Sequence, residues 1–311
     1  MEILRSATDI TVLAPAKLNL YFEVLAKRGD GFHEIETLML PIGLYDSLRF
    51  HADDSGVVRL DCRWADDVPR SDRDVSASID SPTTEYSRGQ LPPQRDNLAW
   101  RALDLLRQRS GTSAGACVEL VKRIPAAAGL GGGSSDAAAA LIAGNLGWQL
   151  NWTVERLSEL AAELGSDVPF FLQSGAAVCR GRGEQISTVG RLGALHFLVI
   201  RPDAGLSTAQ VYSRCRPGKS PGSEGLVRAL RCGNFRESAK RFANRLEPAA
   251  ETLSPWPARL RAEFARLDCV VAQMSGSGSS YFGLCRHARQ TRRLARRLAA
   301  RRLGRVFAVR S

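Results

Sequence analysis

Lysine is scarce in this 311-residue chain: Lys17, Lys27, Lys122, Lys219 and Lys240 are the only five among 43 basic residues. The net charge of +11 therefore rests almost wholly on arginine, and any lysine inside a motif carries more information than usual. Long apolar runs are missing as well. No uncharged stretch approaches the ~18 to 20 residues that a membrane-spanning helix needs, and the segment from Met1 to Asn19 has no basic stretch followed by a sustained apolar one. A cytoplasmic location is expected on that basis, with no membrane partner. There is also no C-x-x-C pair. Cys62, Cys117, Cys179, Cys215, Cys232, Cys269 and Cys285 are odd in number and widely spaced, which fits neither a disulfide framework nor a zinc ribbon and leaves them as reduced packing residues. No internal repeat is visible. The remaining composition, 44% hydrophobic and 24% charged, is that of an ordinary globular protein, and the length favours two domains.

The arginine load invites a nucleic-acid reading, above all over Arg286 to Arg310, where Leu294, Leu298 and Leu303 suggest one amphipathic helix. A solvated helix face, attractive to anions in general, is the simpler account of arginine spread over a whole surface, so no specific nucleic-acid partner is expected.

Alternating apolar residues in Ile10 to Leu13, Leu18 to Leu25, Ile35 to Ile42, Ser47 to Phe50 and Val57 to Cys62 predict a series of strands joined by turns such as Arg28-Gly29-Asp30-Gly31. Asp66 to Arg95 is polar and rich in Ser, Asp, Arg and Pro, which predicts a loop inserted into the fold. Asn97 is placed to cap a helix through Arg109; Val118 to Ile124 reads as a strand, and Ser134 to Leu146 and Thr153 to Leu164 read as helices. Phe197 to Ile200 reads as a buried strand, and the loop Arg216 to Gly225 precedes a helical stretch ending near Trp256. The fold class is α+β, divided near residue 185 into an N-terminal domain, 1–185, and a C-terminal domain, 186–311.

The strongest motif is Pro125-Ala-Ala-Ala-Gly-Leu-Gly-Gly-Gly-Ser-Ser-Asp136, set between a predicted strand and an alanine-rich helix. Gly129, Gly131, Gly132 and Gly133 allow positive φ and close approach of backbone to a ligand, and the helix that follows aims the positive end of its dipole at the same point. Such a turn suits phosphates. It is not a Walker A loop, because no Lys follows the last glycine, and Ser134 stands where the dinucleotide fingerprint needs its third glycine.

This loop resembles the ATP loop of the GHMP kinase superfamily (galactokinase, homoserine kinase, mevalonate kinase and phosphomevalonate kinase), Pro-x-x-x-Gly-Leu-Gly-Gly/Ser-Gly/Ser-Ser-Ser. Three further segments match in the family's order: Ala14-Pro15-Ala16-Lys17-Leu18-Asn19-Leu20 with Arg28 to Glu34, Gly165-Ser166-Asp167-Val168-Pro169-Phe170-Phe171, and Met274-Ser275-Gly276-Ser277-Gly278-Ser279-Ser280. The resemblance spans Pro15 to Phe282 with the 66–95 insertion outside it. It implies an N-terminal domain like domain 2 of ribosomal protein S5 and a C-terminal α/β-plait-like domain. It also implies ATP as phosphoryl donor, held by Pro125, Ala126, Ala127, Ala128, Gly129, Leu130, Gly131, Gly132, Gly133, Ser134 and Ser135, with Gly276, Ser277 and Gly278 closing over the phosphates.

Carried over position by position, Lys17 and Asp167 become the catalytic pair. A carboxylate can accept the proton of an attacking alcohol, and an ammonium can hold both partners and offset the growing charge. The Phe32-His33 version of the first motif resembles the branch of the superfamily whose acceptor alcohol is a methylerythritol linked to cytidine diphosphate. An aromatic beside an imidazole can stack on a pyrimidine and hydrogen-bond its edge, although by itself such a pair is more often a core Phe and an exposed His. The resemblance adds Asn19 and Lys122 near the substrate's polar or phosphate groups and Thr208 and Tyr212 on the far wall. Phe32 stands where the family often has Tyr, and Ala126 to Ala128 replace the usual Gly or Met. Mg2+ is expected with the triphosphate, with Ser134 or Ser135 as an available hydroxyl and no carboxylate cluster that names itself as the metal site. A homoserine, mevalonate or phosphomevalonate kinase stays open as an alternative, a nucleic-acid binder more remotely so, and both a monomer and a homodimer remain compatible with the sequence.

Overall fold

The computed structural model describes residues 1–66 and 91–311. The chain opens as a long antiparallel ribbon in which β1 (Glu2–Arg5) pairs with β2 (Asp9–Lys27) and β2 with β3 (His33–Asp53). Where the alternation predicted several short strands, two long ones run through. The register slips between Pro15 and Ala16, between Asn19 and Tyr21, and between Val24 and Ala26. The slips leave Gly43 and Leu44 of β3 and Leu20 and Leu25 of β2 without a partner in this ladder, and the first two bulges flank the stretch that carries Lys17 and Asn19.

β4 (Val58–Trp64) lies parallel to β5 (Gly115–Lys122), giving the order β1-β2-β3-β5-β4; β6 (Ala176–Gly181) adds to β3 and β7 (Gln185–Gly190) to β6. The polar insertion read over 66–95 falls mainly on 67–90, outside the described residues; Gln94–Asp96 forms a 3-10 turn that leads into the first helix. That helix, α1 (Leu98–Ser110), begins as expected at Asn97, whose side chain accepts from the Ala99 amide at 2.9 Å. Next along the chain are α2 (Gly132–Gly147), α3 (Val154–Leu164), capped by Thr153, and α4 (Val168–Leu172). Alanines 137 to 140 of α2 are wholly buried. With so little side chain in the way, α2 packs close against α1: a Cβ on Gly144 would stand 2.8 Å from Leu103 Cδ2.

After Gly190 the chain leaves this sheet and enters a second one at β8 (His196–Arg201). Then come α5 (Thr208–Arg214), α6 (Glu224–Arg231), α7 (Phe235–Ala239), β9 (Ala243–Asn244), α8 (Leu246–Leu253), α9 (Trp256–Ala265), β10 (Val271–Met274), β11 (Tyr281–Cys285), α10 (Ala288–Ala299) and β12 (Arg305–Arg310). The second sheet is antiparallel in the order β10-β11-β8-β12, so the expected α+β architecture with a plait-like C-terminal layer is present. Two expectations need correction. Helix continues past Trp256 as α9, and the arginine-rich tail is not one helix: α10 stops at Ala299 and the chain returns as β12, edge strand of the second sheet. Leu294, Leu298 and Leu303 are all buried, as their spacing suggested. No helix among the described residues is long and apolar enough to cross a membrane.

The two sheets share one apolar seam. Leu18, Leu20 and Leu40 from the long ribbon join Phe197, Val199 and Phe282 from the second sheet in a single cluster, and β9 crosses over to pair in parallel with Tyr21 and Phe22. This seam carries the glycine-rich turns of both halves to one place. Away from it, Leu103 is fully buried between α1 and α2. Leu103→Ala is expected to cost about 3 kcal/mol of stability, read as a lowered urea midpoint, while nucleotide affinity of the remaining folded protein is unchanged.

Candidate active site

Between β5 and α2 the chain forms an irregular loop with positive φ at Ala127 (48°), Gly129 (71°) and Gly131 (71°). Of the four glycines read as conformationally necessary, two take that role. Gly132 and Gly133 already belong to α2, and Gly131 stands at its N-cap with no side-chain hydrogen bond, so the first amides of a sixteen-residue helix are left for an incoming anion. A cavity of about 380 Å³ lies against them. One wall is the loop itself, Pro125 to Ser134; the other is Cys62, Leu91, Pro92, Asn97 and Leu98, an apolar surface suited to a flat ring.

The third glycine motif closes onto this loop from the C-terminal half. The Ser280 amide donates to the Ala128 carbonyl at 3.1 Å and Ser275 Oγ to the Gly129 carbonyl at 3.0 Å. A side chain at Gly129 would collide with the Ser275 carbonyl, which explains the glycine there. Asn244, in β9, steadies the motif from behind by donating through Nδ2 to the carbonyls of Met274 and Gly276, each at 2.8 Å. Thr208 Oγ1 lies 2.9 Å from Ser277 Oγ, so α5 is tied to the same turn.

Lys17 is buried beneath the two turns, and its backbone amide donates to the Leu130 carbonyl at 2.9 Å. Its Nζ stands 3.4 Å from Asp167 Oδ2 and donates to Asn19 Oδ1 at 2.6 Å; Asn19 in turn donates to Thr37 Oγ1 at 2.8 Å. Asp167 begins α4 and is about a third exposed, so one carboxylate face remains open to a ligand. Burial pushes the Tyr212 hydroxyl and the Cys179 thiol well above their ordinary pKa values, and the Asp167 charge adds to both shifts. Both groups therefore stay protonated near neutrality and cannot stand in for Asp167 as proton acceptor.

Beyond the pair, His33 and Tyr212 face each other with ring centroids 5.2 Å apart, and Phe32 projects from its turn, 49% exposed, with the Arg182 guanidinium 4.9 Å above its ring. The structure thus brings Asn19, Thr208, Tyr212, Lys17 and Asp167 together with Gly276 to Gly278. Lys122 is different. Expected beside the substrate's polar groups, it lines the glycine-loop cavity, and its Nζ is ion-paired with Asp46 and Asp136. Burial works against the Lys122 ammonium and the two carboxylates more than offset it, so its pKa rises; burial likewise pushes Asp136 above the usual carboxylate range. Asp46, Asn97 as a cavity wall, Arg182, Asn244 and Ser275 escaped sequence reasoning. Asp46 left one signal, a carboxylate directly after the apolar run Leu38 to Tyr45 of a strand, where Asp is disfavoured.

The glycine loop, Asp167 and the facing turn lie within regions that known families share, and Lys17 lies ahead of them in the chain. The profile of the GHMP kinases N terminal domain matches residues 97–175, and that of the GHMP kinases C terminal matches residues 226–303. A 4-diphosphocytidyl-2-C-methyl-D-erythritol kinase of Pelotomaculum thermopropionicum is 39% identical over 93% of this chain and 93% of its own length; one of Bacillus cereus is 34% identical over 92% and 91%. The chain belongs to the 4-diphosphocytidyl-2-C-methyl-D-erythritol kinase family. A crystal structure of a 4-(cytidine 5'-diphospho)-2C-methyl-D-erythritol kinase superposes with a TM-score of 0.77 at 34% identity, covering 96% of this chain and 98% of the other. Homoserine kinase from Cytophaga hutchinsonii shares the fold, with a TM-score of 0.72 at 18% identity over 99% and 96% of the two chains.

Within this kinase family site, Gly131 joins loop and lysine most tightly: an added Cβ would stand 2.9 Å from Phe171 Cζ and 3.0 Å from Lys17 Cγ, at a φ that disfavours any side chain. Gly131→Ala is expected to lower kcat at least about tenfold by displacing Lys17, because small misplacements at a reacting centre are costly. Steady-state kinetics on protein shown to be folded by circular dichroism checks this, and an unchanged kcat would mean that the loop does not hold the lysine.

Proposed function

We propose that this chain transfers the γ-phosphoryl group of ATP to the 2-hydroxyl of 4-diphosphocytidyl-2-C-methyl-D-erythritol, giving the 2-phosphate and ADP on the methylerythritol phosphate route to isoprenoid precursors. The observation that carries the reading is the 3.4 Å Lys17–Asp167 contact set directly beside an anion-binding loop. A protein that merely bound nucleic acid would have no use for it.

In this reading ATP lies in the glycine-loop cavity with its triphosphate on the N-terminus of α2, beneath Gly276, Ser277 and Gly278. Asp167 accepts the proton of the 2-hydroxyl as that oxygen approaches the γ-phosphorus. Lys17, held by Asn19, fixes the carboxylate and offsets charge on the transferring group. Positioning and charge compensation supply most of the rate, since phosphoryl transfer asks for little covalent help. Mg2+ needs only one or two protein oxygens when phosphates and water complete its shell. Such donors are at hand: Ser134 is on the cavity wall and Ser135 Oγ is buried with no hydrogen-bond partner among the described residues. Either serine would hold the ion, which would neutralise the triphosphate.

The cytosine ring stacks on Phe32 and meets His33, with Tyr212 and Thr208 opposite. A homoserine or mevalonate kinase has no ring to place there, which favours the cytidyl acceptor. Burial, and then the charge of Lys27, holds His33 below its ordinary pKa, so at pH 7 the ring is neutral and offers one donor and one acceptor. The value of kcat/KM for the cytidyl substrate is expected to stay level down to about pH 6.5 and to fall only below it, as His33 takes up a proton. A decline already under way near pH 7.5 would argue against that role.

Two measurements test the assignment. A coupled ADP-release assay with the cytidyl alcohol, homoserine, mevalonate and phosphomevalonate should respond to the first alone; phosphorylation of another with the first untouched would overturn the acceptor. Asp167→Asn keeps the side-chain shape but removes the proton acceptor, so turnover should drop roughly two to four powers of ten with little change in ATP affinity. Near-normal turnover would remove Asp167 from the chemistry.

A further inference from the structure

Behind the phosphate loop lies a buried charged cluster with no part in the transfer scheme above. Asp46, in β3, is 0% exposed, Asp136, in the first turns of α2, 3%, and Lys122, ending β5, 6%. Lys122 Nζ is ion-paired with both carboxylates. Asp46 Oδ1 also accepts the backbone amides of Arg123 and Ile124, the latter at 2.9 Å.

The three elements that meet here, β3, β5 and α2, are the ones between which the loop is strung. Asp46 grips the two residues before Pro125, where the loop departs. Lys122 carries that grip across to Asp136, one turn beyond Gly132, where the loop arrives. The arrangement depends on a bare backbone at Gly132, since an added Cβ would stand 3.4 Å from Lys122 Nζ and 3.0 Å from Ile124 Cγ2. Burying charges costs folding energy that apolar side chains of equal volume would not. What such a cluster supplies in return is directional: two ion pairs and two backbone hydrogen bonds that only one separation of the loop's ends can satisfy at once.

We propose that Asp46 is a positioning residue for ATP: by fixing both ends of the loop through Arg123, Ile124 and Lys122, it holds the loop and α2 amides where the phosphates need them. Asp46 itself touches neither ATP nor the alcohol. The proposal rests on the reading that this loop binds the phosphates of ATP, but not on which alcohol accepts them.

Two substitutions separate its parts. Asp46→Asn keeps the shape and an oxygen for the two amides but loses the charge that holds Lys122; Asp46→Ala removes both and leaves buried amides without an acceptor. The KM for ATP, and the dissociation constant of a non-hydrolysable ATP analogue measured calorimetrically without alcohol, are expected to rise about tenfold in Asp46→Asn and further in Asp46→Ala. The KM for the alcohol should stay within about threefold of the parent, because Phe32, His33, Thr208 and Tyr212, read above as the acceptor's walls, lie outside the loop. Leu103→Ala, destabilised but remote from the loop, controls for loss of stability and should leave the analogue's affinity unchanged. If Asp46→Ala does not fold, Asp46→Asn decides. Unchanged analogue affinity in folded Asp46→Asn, or an equal rise in both KM values, overturns the proposal. Parent protein that binds the analogue but ignores the cytidyl alcohol would instead overturn the acceptor assignment and leave this one standing.

Discussion

Lys17 is held from three directions, and the geometry of the site follows from that. Its backbone is hydrogen-bonded to the glycine loop, its ammonium meets Asn19 and Asp167, and its aliphatic stem lies under Gly131. A buried ammonium is tolerable only with partners close at hand, so the strand that carries it, the loop above it and the helix that begins at Asp167 cannot move independently. The bulges of β2 are the backbone side of the same constraint. They turn Lys17 and Asn19 toward the seam without breaking the ladder on either side.

The seam makes the site a property of both halves of the chain. The glycine loop alone is a strand-to-helix turn open on one side; it becomes a pocket floor because the 274–280 turn bonds to Ala128 and Gly129. That turn is carried by β10 and β11, whose sheet contributes Phe197 and Phe282 to the core shared with Leu18 and Leu20. Apolar packing therefore sets the distance between the turns, and hydrogen bonds from Asn244 and Ser275 set their orientation. Hydrophobic burial is strong but undirected, whereas hydrogen bonds are weak and directed; the site uses each for what it can specify.

Local punctuation made much of this legible in sequence. Asn97 and Thr153 cap the helices that their spacing predicted, and the glycine loop sits between strand and helix where its composition put it. What was not legible depends on contacts distant in the chain. Nothing near Pro15 says that a bulge will carry one strand through it, because the partner that absorbs the slip is β3. Nothing in the arginine repeat of 286–310 says that it will stop at Ala299, because that ending is dictated by the free edge of β8 that β12 fills. Lys122 is the instructive case among site residues. Its neighbours in sequence point toward the phosphate loop, but its partner Asp46 is 76 residues away, and only the fold reveals that its charge is already spoken for.

That pairing bears on how scarce lysines are used here. Arginine covers the surface, where its planar, always charged head is well solvated and pairs readily with Asp and Glu, as in Arg109 with Glu163 or Arg286 with Asp268. Lys17 and Lys122, in contrast, are both nearly fully buried and both meet carboxylates close to the glycine loop. A compact ammonium on a flexible stem can enter a narrow space and address partners in several directions, whereas a guanidinium is too broad and presents its donors in one plane. Replacing either lysine by arginine would preserve the charge and still fail sterically. At Lys17 the stem already lies tightly under Gly131, where an added Cβ would stand 3.1 Å from Cε, and Nζ donates to Asn19 at 2.6 Å, so a broader head has little room. At these two positions the available space, rather than the sign of the charge, decides which cation can serve.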